Sequence, residues 1–200
     1  MNNRLYVIFV LLTLFSIFLT PFLSFAGEPT DSIKACTDRL LAVVSDAALQ
    51  SPEMKEKREQ MIIETVDKVF SWEEFAKRSL ARNWNKRTTK EKKEFIALFR
   101  QLIFDTYMGK TYQYSGESIT YLEEEIEGDH GNVTSVFNTS DGKQISVEYC
   151  IMQKGDSWWV YDLKIEGVSL VSNYRSQFRE IISDSSYGNL VALLKEKLEK

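Results

Sequence analysis

The chain has 200 residues, 44% of them hydrophobic and 27% charged, with a formal net charge of −4. That length is enough for one domain with a buried core. The mild acidity excludes a general nucleic-acid binder, whose footprint is a basic surface. Arg4 is the one charged side chain before Glu28, Leu5 to Phe25 is almost wholly apolar, and Ser24-Phe25-Ala26 is a small-x-small cleavage signal. This pattern predicts a signal peptide over residues 1–26. The apolar run approaches spanning length, so an uncleaved anchor is the alternative. Residues 27–200 then form a single α+β domain of charge −5, because the leader takes one Arg with it.

Asp31 to Gln50 reads as helix from the spacing of Ile33, Leu40, Leu41, Val44 and Ala48. Ser51-Pro52 is a helix-start signal, and the next helix runs to about Val69 through Met54, Met61, Ile62 and Val66. Ser71 with Glu74, and Thr88 with Glu91, are capping boxes for two more helices, the second carrying Phe95, Leu98, Phe99, Leu102, Ile103 and Tyr107. The helical part therefore covers about 30–115, and the period then changes to two. Ser118 to Glu127, Asn132 to Thr139, Gln144 to Lys154 and Ser157 to Gly167 read as four antiparallel strands, a sheet over about 118–167. Ser172 to Ser183 and Ser186 to Leu198 return to helix, within 170–198. The predicted architecture is helices from both ends packed on one face of a curved four-stranded antiparallel sheet.

Alternation places Ile145, Val147, Tyr149 and Ile151 on one face of the third strand, and Trp159, Tyr161, Leu163 and Ile165 on one face of the fourth. Periodicity alone leaves open whether this stripe fills a core or lines a cavity, and favours the filled core. Catalytic constellations are scarce. His130, the one histidine, falls in a predicted turn and makes neither a zinc cluster nor a triad, there being no G-x-S-x-G elbow. Gly109-Lys110-Thr111 mimics the end of a phosphate loop, but Phe104 stands where that loop needs Gly. Cys36 and Cys150 allow a disulfide in an exported chain, or two separate buried thiols. Arg78, Arg82, Lys86 and Arg87 belong to a basic concentration that reads as a charged helix surface or as a docking patch for an acidic partner or anionic headgroups.

Three segments together resemble a known family. Val160-Tyr161-Asp162, Glu166 to Val171 and Asn173 to Phe178 form the most recognisable run. Phe70 to Leu80 with Trp84 is similar to a second family segment, and Phe95 to Arg100 with Thr106, Tyr107 and Tyr112 to a third. The family is that of MlaC, the toluene-tolerance auxiliary proteins, which are periplasmic phospholipid carriers. Ser71 and Ala81 depart from its usual Asp and Gly, and Tyr187 to Leu190 keeps part of its closing pattern. The resemblance implies a non-enzymatic carrier in the periplasm, without a cofactor, whose cargo is a phospholipid held by its acyl chains in an apolar cavity. It implies as partners an inner-membrane ABC transporter with an MCE-domain protein and an outer-membrane lipoprotein complex. Under it, the expected lipid-binding residues are Trp84, Tyr107, Val147, Tyr149, Ile151, Trp159, Tyr161, Val168, Val171, Tyr174 and Phe178, with Arg175 at a phosphate. The competing expectation is a structural or adaptor subunit with a closed interior that binds partners through its basic helices.

Overall fold

The structure, a computed structural model, describes residues 29–108 and 117–199. The expected signal peptide, Gly109 to Thr111 and Tyr112 lie outside the described residues. Six α-helices and one antiparallel sheet follow in the order α1 (Pro29–Ser45), α2 (Lys55–Val66), α3 (Trp72–Leu80), α4 (Thr89–Met108), β1 (Ser118–Glu127), β2 (His130–Asn138), β3 (Gln144–Lys154), β4 (Ser157–Ile165), β5 (Val168–Ser169), α5 (Leu170–Asp184) and α6 (Tyr187–Leu198). The sheet is a meander with the strands side by side in chain order, and the helices pack on it.

Local chemistry accounts for most boundaries. The Thr88–Glu91 capping box is made in both directions, Glu91 N–H to Thr88 Oγ1 at 3.2 Å and Thr88 N–H to Glu91 Oε2 at 2.7 Å. Ser169 and Ser186 cap α5 and α6 by accepting from the N–H groups of Ser172 and Asn189 at 2.9 and 3.0 Å. The first helix ends at Ser45 rather than Gln50. Asp46 accepts from Ala48 N–H and starts a separate 3₁₀ turn, Ala47–Leu49, because a short carboxylate offers the backbone a better partner than continued helix does. A second 3₁₀ turn, Pro52–Met54, precedes α2, and Ser51 makes no side-chain cap there.

The expected four strands are five. Glu166 (φ +50°) and Gly167 (φ +76°) form a two-residue turn with both φ values positive, and Val168 returns to pair with Ile165. A strand of two residues is too short to leave a periodic signal. The β4 edge beyond it is closed by Phe70. Ser71 N–H donates to the Val160 carbonyl, and Val160 N–H to the Val69 carbonyl, both at 2.8 Å. Those bonds end the second helical segment earlier than its apolar stripe predicts.

Alternation along β4 also differs from expectation. Cys150 pairs with Asp162 but Ile151 pairs with Val160, so Tyr161 is an extra residue, a β-bulge. Beyond a bulge every side chain changes face. Leu163 and Ile165 therefore share the helix-facing side with Val160 and Trp158, while Trp159 and Tyr161 lie on the opposite side, with Met152 and Cys150. A second bulge between Tyr121 and Glu123 does the same to Glu123, Glu124 and Glu125 on β1. His130 is the first residue of β2 rather than a turn residue, half-buried beside the Tyr161 ring with centroids 6.0 Å apart. Gly131 is required beside it, since a Cβ there would lie 2.4 Å from the Glu125 carbonyl oxygen.

Candidate functional site

The interior has two unlike halves. One is filled by aromatic rings. Phe99, from α4, meets Phe75 of α3 at 4.9 Å and Tyr174 and Phe178 of α5 at 4.9 and 5.0 Å, and Phe95 meets Phe178 at 5.5 Å. Edge and offset contacts at such distances suit the ring quadrupoles. Phe75 and Phe95 are fully buried.

The other half is a cavity of about 410 Å³. Its wall is Leu40 and Val44 from α1, Ile62 and Val66 from α2, Phe70 at the sheet edge, Trp72 and Phe75 from α3, and Ile103, Phe104 and Tyr107 from α4. Phe137 of β2, Leu163 and Ile165 of β4 and Leu170 of α5 complete it. None of these residues is charged, and the two with polar ends turn those ends to protein partners. Trp72 Nε1–H donates to Asp67 Oδ1 at 2.8 Å, and that carboxylate is held in turn by both ends of the Arg100 fork. The Tyr107 hydroxyl is hydrogen-bonded to that of Tyr174, and burial raises the pKa of both above the usual phenol value. The cavity therefore offers a solute almost nothing but hydrocarbon and ring faces. Among the described residues that lining suits an apolar solute.

Of the residues expected to bind lipid, Tyr107 lines this cavity. Trp84, Ile151, Val171, Tyr174 and Phe178 belong to the filled core, and Val147 and Tyr149 stand on the helix-facing side of β3 next to it. Burial pushes the Tyr149 hydroxyl strongly upward. Trp159 and Tyr161 are turned away by the bulge. Val168 is 59% exposed. Arg175 lies in a separate cleft at the far end of α3, its Nε donating to the Arg78 carbonyl at 2.9 Å.

Thirteen of the fourteen wall residues were not singled out from the sequence. Leu40, Val44, Ile62, Val66, Leu163 and Ile165 do sit on stripes that the periodicity identifies. Periodicity reports which side of an element is covered, not which end of that side faces empty space.

The run Val160-Tyr161-Asp162 has an architectural explanation. Asp162 is 6% exposed and accepts from Val171 N–H at 2.9 Å, Leu163 N–H at 2.8 Å and Ser169 Oγ–H at 2.5 Å. A buried carboxylate at the start of α5 satisfies free N–H groups and complements the helix dipole. It pins the bulge, the β5 turn and α5 together.

The basic residues are unequal. Arg78 bonds Glu74 at 3.3 Å and stacks 4.0 Å over the Tyr161 ring, and Arg87 pairs with Glu91 at 3.2 Å and covers Tyr187 at 4.3 Å. Arg82 and Lys86 are exposed. Cys36 and Cys150 are separate buried thiols, each pushed up to about 11 by burial. No cluster of three metal-binding side chains occurs among the described residues, nor is any described helix long and apolar enough to cross a membrane.

Helices laid over an antiparallel meander, with the uncharged cavity between them, define an α+β fold. The family described as MlaC protein matches residues 34–196, and the chain belongs to that family. No curated protein matches it. Among solved structures, the phospholipid-binding protein from Ralstonia solanacearum, in complex with a phospholipid, is similar with a TM-score of 0.78 and 23% identity. The match covers 87% of this chain and 100% of that one. At this identity the likeness is one of fold.

Proposed function

We propose that the protein is a phospholipid carrier rather than an enzyme, with acyl chain held in the apolar cavity and the headgroup left in water. The observation that carries this reading is the absence of charge from the fourteen described wall residues around about 410 Å³, in a chain of the MlaC family. The phospholipid bound by the Ralstonia protein supports it. At roughly 30 Å³ per methylene, about the share of a water molecule in the liquid, the cavity takes on the order of fourteen methylenes, which is one acyl chain. Sheltering those methylenes is worth about 11 kcal/mol at ~0.8 kcal/mol each. A second chain needs the helices to part from the sheet, or lies along the cavity mouth.

The carrier works in the periplasm after export by its N-terminal segment. It passes lipid between an inner-membrane ABC transporter bearing an MCE-domain protein and an outer-membrane lipoprotein complex. Arg78, Arg82, Lys86 and Arg87 contribute to docking in this reading, with Arg82 and Lys86 the accessible pair. A second reading, an adaptor subunit that uses those basic helices and holds no cargo, draws on the same two exposed side chains. Transfer of a fluorescent phospholipid between donor and acceptor vesicles tests the choice. The carrier accelerates transfer in proportion to its concentration; a rate equal to that of vesicles alone rejects it in favour of the adaptor.

A further inference from the structure

A cleft of about 250 Å³ lies where α3 ends, lined by Leu80, Ala81, Arg82, Asn83, Arg175 and Arg179. It shares no residue with the apolar cavity. Three arginines line it, and none of them has a carboxylate within ion-pair distance among the described residues. Elsewhere on the molecule Arg78, Arg87, Arg100, Lys77, Lys164 and Lys195 all have acidic partners. Arg175 and Arg179 stand four residues apart on α5, where like charges repel. Glu180 and Asp184 of the same helix are turned some 100° or more from that stripe.

The cleft is also built rather than incidental. Arg175 Nε–H donates to the Arg78 carbonyl at 2.9 Å, an otherwise free carbonyl in the last turn of α3. One edge of its fork is thereby fixed, and the terminal nitrogens remain for another acceptor. Ala81 lines the cleft at φ +48°, ψ −127°, a conformation a non-glycine residue adopts at a cost. Arg82 follows it and shares the cleft wall with Arg175 and Arg179 of α5.

We propose that Arg82, Arg175 and Arg179 form a binding site for a phosphate group, either free or displayed by anionic lipid at a membrane surface. Guanidinium forks match phosphate oxygens in geometry, and each charge-assisted pair is among the stronger hydrogen bonds. A local positive site also lets a net-negative protein approach a negative surface in one orientation. The site does not depend on the cargo reading, because it lies outside the cavity.

The test uses the full mature chain, Arg82→Gln/Arg179→Gln, and Lys90→Gln/Lys93→Gln as a control of equal charge change outside the cleft. Arg82 and Arg179 are exposed, and circular dichroism verifies the fold of both variants. Inorganic phosphate is titrated calorimetrically. Binding to phosphatidylcholine vesicles with and without phosphatidylglycerol is measured by co-sedimentation at one ionic strength. The expected result is saturable phosphate binding, weakened about tenfold or more in the arginine variant and by less than about twofold in the lysine control. Binding to the phosphatidylglycerol vesicles that follows the same order identifies lipid as the source, and phosphate binding without vesicle binding identifies the free anion. Absence of phosphate binding together with absence of vesicle binding overturns the site. Equal losses in the two variants also overturn it, since they reveal diffuse surface charge.

Discussion

Asp162 carries more of the architecture than any apolar residue near it. Three donors converge on its carboxylate, two from the backbone and one from Ser169. Removing a buried acceptor leaves those donors unsatisfied, at about 1–3 kcal/mol for each group that water cannot reach. Asp162→Ala is therefore expected to lower stability by about 3 kcal/mol, read from the urea midpoint, with Leu163→Ala as a cavity-wall comparison. Ala81 offers the opposite sign. Its φ of +48° suits glycine, so Ala81→Gly relieves strain and stabilises by about 1 kcal/mol in the same assay, despite the added freedom of the unfolded chain. An unchanged or lower midpoint rejects that account of the α3 terminus.

At the scale of elements, what was legible in the sequence follows from how signals are written. The strands β1 and β3 match their predicted spans from Ser118 to Glu127 and from Gln144 to Lys154. The two capping boxes mark α3 and α4 because a cap is local chemistry. The bulge at Tyr161 was not legible. Nothing in W-W-V-Y-D says which residue will be the unpaired one; that is decided by the Phe70 bridge on one edge and the Asp162 anchor after it. A displacement of one residue then moved Trp159 and Tyr161 away from the cavity side.

The cavity wall gives this a functional reading. Val66→Trp places a large side chain where α2 faces the cavity and should reduce bound lipid several-fold without lowering the melting temperature by more than a few degrees, since it fills space. Trp159→Ala should leave lipid content unchanged. The reverse pattern, measured by phosphate assay of organic extracts, would return the site to the residues that alternation had favoured.

For the whole molecule, the helices and the meander enclose a filled half and an open half, and the division was beyond reach of sequence. Total apolar mass was visible in the stripes; its shortfall at one end is a property of packing, set by the summed volumes of side chains from seven elements. Titration offers a global check. Burial raises both thiols from 9.0 to about 11 and Tyr187 from 10.0 to about 12. Below about pH 8 these groups are protonated in folded and unfolded chains alike and contribute almost no pH dependence. From about pH 9 to 12 the unfolded chain loses protons that the folded chain keeps, so stability falls as pH rises. Melting temperature should therefore decline steadily above pH 9, and both thiols should resist alkylation at pH 8 until the chain is unfolded.

Native mass spectrometry of the protein purified from a bacterial envelope, with no lipid added, addresses the cavity directly. Carriage of lipid predicts a chain whose mass exceeds that of the polypeptide by one phospholipid, with the adduct depleted in Val66→Trp and retained in Trp159→Ala. A bare polypeptide mass, persisting after incubation with phospholipid vesicles, contradicts it.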